Sequence, residues 1–376
     1  MPIPTTTEFL IVGGGIIGLA IARQLHRRGI RDVTIVDQGT CGREASWAAA
    51  GMLSPQAETD QVGPFFDFCS RSRDMYPKFA AELLDETGID IDLDQTGTLY
   101  LAVDEESTEL QHRYNWQADA GLAVEILSAE DIARIEPHLR AVTFGLRFPN
   151  DWQVDNRKLV QALRAFADLN GINVVENTPV DGLIMKNGHV VGVETAGTKI
   201  HSEHTVLTAG AWTSLIDCDG WTAPVEPIKG QIVCLSAPAG TLKHVISTSR
   251  GYLVPKRDGR ILVGSTTEHT GFDRTTTREA TERLTRLAAQ LLPSSDLDVI
   301  DNWAGLRPGT PDGFPILGGI PGVEGLTVAT GHYRNGILLT PATAHIVTER
   351  IADGVHAHEF NVFGVGRFAS VVGASN

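Results

Sequence analysis

The sequence predicts an α/β protein of two units, and three observations predict it. A strand, a glycine turn, a helix and a second strand follow one another over residues 9–37. Helical and strand patterns then alternate through the first half of the chain. Strand-rich stretches with antiparallel alternation occupy much of residues 173–265. The chain has 376 residues, enough for about two domains. Apolar residues make up 42% and charged residues 20%, an ordinary balance for a water-exposed globular protein. The net charge of -15 argues against a nucleic-acid or anionic-membrane partner.

Residues 9–12 form a short apolar run ending in Gly13-Gly14-Gly15. Residues 16–27 carry apolar side chains at helical spacing (Ile17, Ala20, Ile21, Leu25) and stop at Gly29. A second apolar run, 33–36, ends in Asp37. Helices are expected over 67–86, 105–120, 130–134, 156–169 and 279–292, and strands over 97–103, 146–148, 173–176, 180–186, 190–195 and 205–208. Residues 231–235, 252–256 and 260–265 alternate as in an antiparallel sheet, and 326–329 forms a last strand. Asp90, Asp92 and Asp94 are expected on a solvated strand face. Arg71, Ser72, Arg73 and Lys78 are expected on an exposed helix face. No repeat or linker divides the chain. The domains are therefore expected to interleave: 1–85, 147–225 and 305–376 in one, 86–146 and 226–304 in the other.

Residues 331–354 raise a question. An apolar helical run begins near Gly336, yet Arg334 stands just before it. A cation at a helix N-terminus loses dipole energy unless an anion is close. That anion has to come from elsewhere in the chain or from a ligand.

Four cysteines (Cys41, Cys69, Cys218, Cys234) are widely spaced, and there is no CxxC. Neither a metal site nor a disulfide framework is expected. The opening residues lack a basic, then apolar, leader pattern, and no stretch is long and apolar enough to span a bilayer. A reduced, cytoplasmic protein is the expectation. The histidines, His201, His204, His356 and His358 among them, are read as solvated.

Gly13, Gly15 and Gly18 match GxGxxG. The first glycine makes the turn, the second admits a pyrophosphate to the backbone and the third packs helix on strand. Asp37 lies 19 residues after Gly18, where an acid meets ribose hydroxyls. The motif alone leaves NAD and FAD open. Small-residue elements recur near residues 46, 208 and 331, and this favours FAD, a long cofactor lying across a discontinuous domain.

Six stretches then carry a resemblance: FLIVGGGIIGLAIARQL, SWAAAGMLSPQAE, TAGAW, GYLVPK, GLRPGTPDGFPILG and GHYRNGILLTP, spread from residue 9 to residue 341. The sequence resembles the D-amino acid oxidase family of flavoenzymes, within its glycine-oxidising branch. The resemblance implies a Rossmann-like FAD-binding domain and a substrate domain on a mixed, largely antiparallel sheet. It implies that Gly13, Gly15, Ile16, Ile17, Gly18, Asp37 and Gln38 hold the adenosine and pyrophosphate, with Val180 beside the adenine. Ser46, Ala50, Gly51, Met52 and Gly210 would lie along the cofactor. His332, Arg334, Asn335, Gly336, Ile337 and Leu338 would wrap the flavin ring, and a helix starting near Gly336 would stabilise negative charge on it. Tyr252, Arg307 and Arg334 would bind the substrate carboxylate, so that the anion facing Arg334 is the substrate.

The implied reaction is hydride transfer from a small amino acid, glycine foremost, giving an imine, with O₂ reduced to H₂O₂; a related flavin enzyme of sarcosine, a D-amino acid or a hydroxy acid is the first alternative, and a dinucleotide-binding protein without turnover the second. The resemblance also implies a role in thiamine thiazole biosynthesis and a homo-oligomer, dimeric or tetrameric. No cysteine stands between residues 305 and 340, where some related enzymes tether flavin, so noncovalent FAD is expected. Thr267 and Arg250 depart from the family pattern and are expected to alter the substrate cavity.

Overall fold

The computed structural model describes residues 3–103, 107–140, 142–218, 220–293 and 296–368. Among these residues, two eight-stranded sheets carry the fold. In the first, the order is Ile316–Gly318, Leu326–Thr330, Thr198–Leu207, Thr6–Val12, Val33–Val36 and Asn173–Val175, with the strands Val180–Lys186 and His189–Thr195 extending from Thr198–Leu207. Thr6–Val12 runs parallel to both neighbours, Leu10 lying opposite Thr205 on one side and Thr34 on the other. A parallel strand is covered on both faces, so its side chains are apolar without alternation. Leu10 and Ile11 are accordingly both fully buried.

Helices Ile16–Arg27, Pro64–Thr87, Asn156–Leu169 and Thr340–Asp353 pack together on one face through Ile21, Leu25, Tyr76, Leu163, Phe166 and Val347. The Asn156–Leu169 helix starts where expected because Asp155 accepts from the backbone N–H groups of Arg157 (2.9 Å) and Lys158 (3.0 Å). The hairpin of Val180–Lys186 and His189–Thr195 covers the opposite face, with Val193 and Ile200 among the buried contacts of Leu10 and Leu207.

The second sheet has the order Asp298–Gly309, Glu226–Ser236, Arg260–Gly264, Gly251–Pro255, Val245–Thr248, Thr98–Ala102, Phe144–Phe148 and Glu125–Ser128. Val245–Thr248 runs parallel to Thr98–Ala102, and every other pair is antiparallel. The sheet is therefore mixed and largely antiparallel, as expected. Helix Arg278–Leu291 closes one face with Leu284, Leu287, Ala288 and Leu291.

Several expectations need correction. The boundaries at 146/147 and 304/305 fall inside strands whose pairing continues to Phe148 and Gly309, so the chain leaves the second sheet later than expected. Asp90, Asp92 and Asp94 are not a strand face. Asp92 sits at φ 54, Asp94 makes a lone bridge to Gln153, and Asp90 and Asp92 both accept from Arg257. Ser72 is fully buried, because its hydroxyl donates to the Leu338 carbonyl (2.7 Å). The last helix begins at Thr340, not near Gly336. Residues 336–339 form tight turns first, with Thr340 N–H donating to Ile337 O (3.2 Å), and Pro341 enters the first helical turn. His204 is not simply solvated: burial pushes its pKa down to about 4, and its ring contacts Thr327 Oγ1 (3.0 Å). The helix expected from residue 105 spans Ser107–Asp119, and residues 105–106 lie outside the described residues.

Candidate active site

A cleft opens at the carboxyl ends of Thr6–Val12 and Thr198–Leu207. The connections from these adjacent strands diverge there, which is where open parallel sheets bind ligands. Asp37, Gln38, Thr178 and Val180 line one end. Gly13, Gly15, Ile16, Ile17, Ser46 and Gly210 line the middle. Ala50, Gly51, Met52, Glu58, Tyr252, Ser265, Arg307, His332, Tyr333, Arg334, Gly336 and Ile337 line the far part.

The middle is shaped by backbone. Gly13 holds φ +105, and a Cβ there would stand 2.5 Å from the Thr208 carbonyl oxygen. Gly18 abuts the Gly13 carbonyl so closely that any Cβ would collide with it. Above Gly15, by contrast, a Cβ would meet only Ser46 Oγ, at 3.5 Å. Asp37 stiffens the turn by accepting from Gly14 N–H (2.7 Å) and Gly39 N–H (2.8 Å). Ser46 Oγ accepts from Ile16 N–H (3.0 Å). The Ile16–Arg27 helix has no acid in its own first turn, so its positive end is not offset from within the helix where it faces the cleft. An open cradle, a helix N-terminus and a cleft leading to Asp37 and Val180 fit a dinucleotide.

The wall near Met52, built on the short strand pair Met52–Leu53 and Trp152–Gln153, is tied to the second sheet. Gly51 has φ +87 and packs against the Val154 carbonyl. Lys256 Nζ donates to Ala50 O (2.7 Å) and Val154 O (2.9 Å). Burial draws the Lys256 pKa down to about 8.

Charge gathers at the far part. Arg307, from the Asp298–Gly309 strand, donates to Ser265 Oγ (2.6 Å) and Thr266 O (3.2 Å). Gly230 on the neighbouring strand makes room, since a Cβ there would collide with the guanidinium. Desolvation draws the Arg307 pKa below its ordinary value. Tyr252 is buried and lies over Gly264, where a Cβ would collide with the phenol ring. His332 is buried and touches Thr343 Oγ1 (3.2 Å). Burial lowers its pKa to about 3, so the ring is neutral at physiological pH.

Arg334 meets an anion that belongs to the chain. Its Nε and Nη2 donate to the two carboxylate oxygens of Glu58, at 2.7 and 3.0 Å, in a bidentate fork. Burial alone would raise the Glu58 pKa, but the Arg334 guanidinium brings it net below the usual carboxylate value. Glu58 in turn raises the Arg334 pKa. The expected partner of Arg334 was a ligand; in this structure it is Glu58.

The short helix that carries Glu58, Pro55–Glu58, is braced at both ends. Asp151 accepts from Gln56 N–H (3.0 Å) and Ala57 N–H (2.8 Å). Arg113 donates to the carbonyls of Gln56 (3.2 Å) and Thr59 (2.8 Å). Asp151 is fully buried, and burial pushes its pKa up to about 7.

Three expected residues do not line the cleft. Gly18 lies beneath the turn, packed on Gly13. Leu338 is turned into the core, with its carbonyl held by Ser72. Asn335 is buried, donating its N–H to His332 O and accepting from Leu339 N–H. Thr267 and Arg250 are also off the cleft and exposed. Thr266 turns inward, its hydroxyl accepting from Gln231 N–H (2.9 Å), so the next residue points out. Sequence reasoning did not select Glu58 or Ser265. Glu58 has no local signal that separates it from a solvated acid at a helix end. Gly230, an isolated glycine inside a strand pattern, did carry a signal of close approach.

A family model for FAD dependent oxidoreductases, DAO, matches residues 8–350. The chain is 38% identical to a glycine oxidase of Pseudomonas aeruginosa, over 90% of this chain and 93% of that one. It is 37% identical to a bifunctional protein ThiO/ThiG of Synechocystis, over 97% of this chain and 54% of that protein. A crystal structure of glycine oxidase from Geobacillus kaustophilus superposes with a TM-score of 0.90 at 35% identity, covering 96% of this chain and 98% of that one. With the cleft, the glycine turn and a family match across most of its length, the chain belongs to the DAO family of FAD-dependent oxidoreductases.

Proposed function

We propose that this protein oxidises a small amino acid, glycine foremost, to its imine, with Tyr252 and Arg307 holding the substrate carboxylate. The observation that carries the reading is Arg307 itself. It is a guanidinium seated in the wall of the dinucleotide cleft by Gly230 and Ser265, and among the described residues it donates to a hydroxyl and a backbone carbonyl, not to a carboxylate. A planar fork at that depth suits a bound carboxylate.

Bound FAD supplies a two-electron acceptor for the hydride and is reoxidised by O₂, giving H₂O₂. Gly13, Gly15, Ile16, Ile17, Asp37, Gln38 and Val180 would hold its adenosine and pyrophosphate part. Ser46, Ala50, Gly51, Met52, Gly210, His332, Gly336 and Ile337 would border the rest, without a covalent tether. The residues of the chain act by position and field. Arg307 and the Tyr252 hydroxyl fix the carboxylate and so aim Cα along the cleft. The substrate amine enters neutral; its lone pair forms the C=N bond as hydride leaves Cα, and a proton passes to solvent. His332 is neutral and bonded to Thr343, and it takes no charge in this step. Released imine hydrolyses to glyoxylate and ammonia, or is consumed directly by a following enzyme.

The similarity to a ThiO/ThiG protein supports a place in thiamine thiazole biosynthesis. The four described cysteines are buried and free, in keeping with a cytoplasmic setting. The family resemblance extends to a dimer or tetramer, which light scattering on the purified protein measures. The test of the reaction is an absorbance spectrum followed by anaerobic addition of glycine. Flavin bands near ~450 nm that bleach support the reading. Bands that persist with glycine, sarcosine and D-alanine overturn it.

A further inference from the structure

The far part of the cleft contains two guanidinium groups and one carboxylate: Arg307, Arg334 and Glu58. Each influences the others. Arg307 and Arg334 both lower the Glu58 pKa, and Arg334 lowers that of Arg307. The other acids on the cleft wall are engaged elsewhere. Glu44 pairs with Arg274 (2.6 Å), and Asp37 is bonded to the glycine turn at the opposite end. Arg113 braces the backbone around Glu58 and pairs with Asp60 (2.8 Å).

The Glu58 carboxylate uses both oxygens on Arg334. Its side chain is 18% exposed and that of Arg334 is 32% exposed, so both open onto the cleft and are not sealed in the core. An ion pair at such a depth contributes little net stability. Its larger consequence is for the field: two cations and one anion leave a single positive charge for a ligand.

We infer that Glu58 sets the charge selectivity of the substrate site, neutralising Arg334 so that the site accepts one carboxylate and rejects two. The inference rests on the proposed amino acid oxidation. An amino acid with a neutral amine and one carboxylate carries one negative charge and matches the site. A dicarboxylate such as iminodiacetate brings a second charge toward a guanidinium already occupied, with Glu58 opposing it. Replacing Glu58 by glutamine retains the size and a carbonyl acceptor for Arg334 and removes the opposing charge.

The experiment uses flavin-loaded wild-type protein and the Glu58→Gln and Glu58→Asp variants. The readout is the ratio of kcat/KM for iminodiacetate to that for glycine, each followed as flavin reduction. Glu58→Gln should raise the ratio at least about tenfold, the scale of one uncompensated charge a few ångströms away in a partly screened site. Glu58→Asp should leave it near the wild-type value. An unchanged or lower ratio in Glu58→Gln overturns the inference. If wild-type flavin is reduced by no amino acid, the proposed reaction fails, not this assignment. Should Glu58→Gln lose its flavin, the wild-type protein supplies the test through flavin absorbance on titration with propionate and malonate, which differ by a methyl against a carboxylate. Tighter propionate supports the inference; tighter malonate overturns it.

Discussion

The two ends of the cleft are built by different means. The dinucleotide end is made of backbone: a glycine turn, a helix N-terminus and one acid, all drawn from residues 13–46 with Thr208 and Val180 beside them. The substrate end is made of side-chain charge, and its members come from residues 58, 252, 307 and 334. Backbone shape tolerates almost no added atom. A charge cluster tolerates substitution but changes what it selects. The two ends should therefore fail differently.

Gly13→Val should have the largest effect. A β-branched residue at φ +105 adds roughly 1–3 kcal/mol of backbone strain, and overlap with the Thr208 carbonyl comes on top; together these should weaken FAD binding at least about a hundredfold. The purified variant should be colourless with its far-UV circular dichroism intact; a normal flavin spectrum would count against the backbone account of this end. Arg307→Ala comes next. Loss of a charge-assisted pair of hydrogen bonds should raise KM for glycine by about a hundredfold while FAD remains bound. Unchanged steady-state kinetics would remove Arg307 from the substrate end.

Gly264→Ala sharpens the contrast. The new Cβ meets the Tyr252 ring, so KM should rise by about tenfold through displacement of the phenol, again with flavin retained. If the variant loses flavin instead, the two ends are more tightly coupled than their construction indicates. The smallest effect on flavin or substrate binding is expected at Asp151, where the change falls on stability instead. Its folded pKa, about 7, stands above its ordinary value of 3.8. The fold therefore favours the protonated form. That contribution to stability is present below about pH 4 and is lost as pH rises through about 7. Asp151→Asn should flatten the part of the Tm profile lying between those limits, as read by calorimetry. A profile parallel to the wild type would show that Asp151 does not titrate in this window.

The same contrast explains what could be read from sequence. The glycine turn, its helix and Asp37 lie close together in the chain, and each has a local physical signature. The amphipathic helices Asn156–Leu169 and Arg278–Leu291 were equally plain, because their apolar spacing and caps are local. The charges of the substrate end meet only through tertiary structure. Tyr252, Arg307 and Arg334 were found through family resemblance, and Glu58 passed unnoticed because the pairing that distinguishes it spans 276 residues. The start of the last helix was misplaced for a related reason. The apolar side chains of Ile337 and Leu338 have helical spacing, but they serve a turn whose carbonyls are held by Tyr76 and Ser72 from another helix.

The alternation of the two sheets along the chain bears on synthesis. Among the described residues the path crosses between them after Val36, Phe148, Leu207 and Gly309. Leu326–Thr330 then inserts beside Thr198–Leu207, and residues 332–337 close the cleft. A nascent chain released from the ribosome only as far as residue 300 would hold the complete glycine turn but lack Arg307 and residues 332–337 of the far part. The cofactor site thus matures late, after nearly every other element has been made. Flavin is expected to load onto an almost finished chain, and a translation product cut short before Ile337 should be made without it.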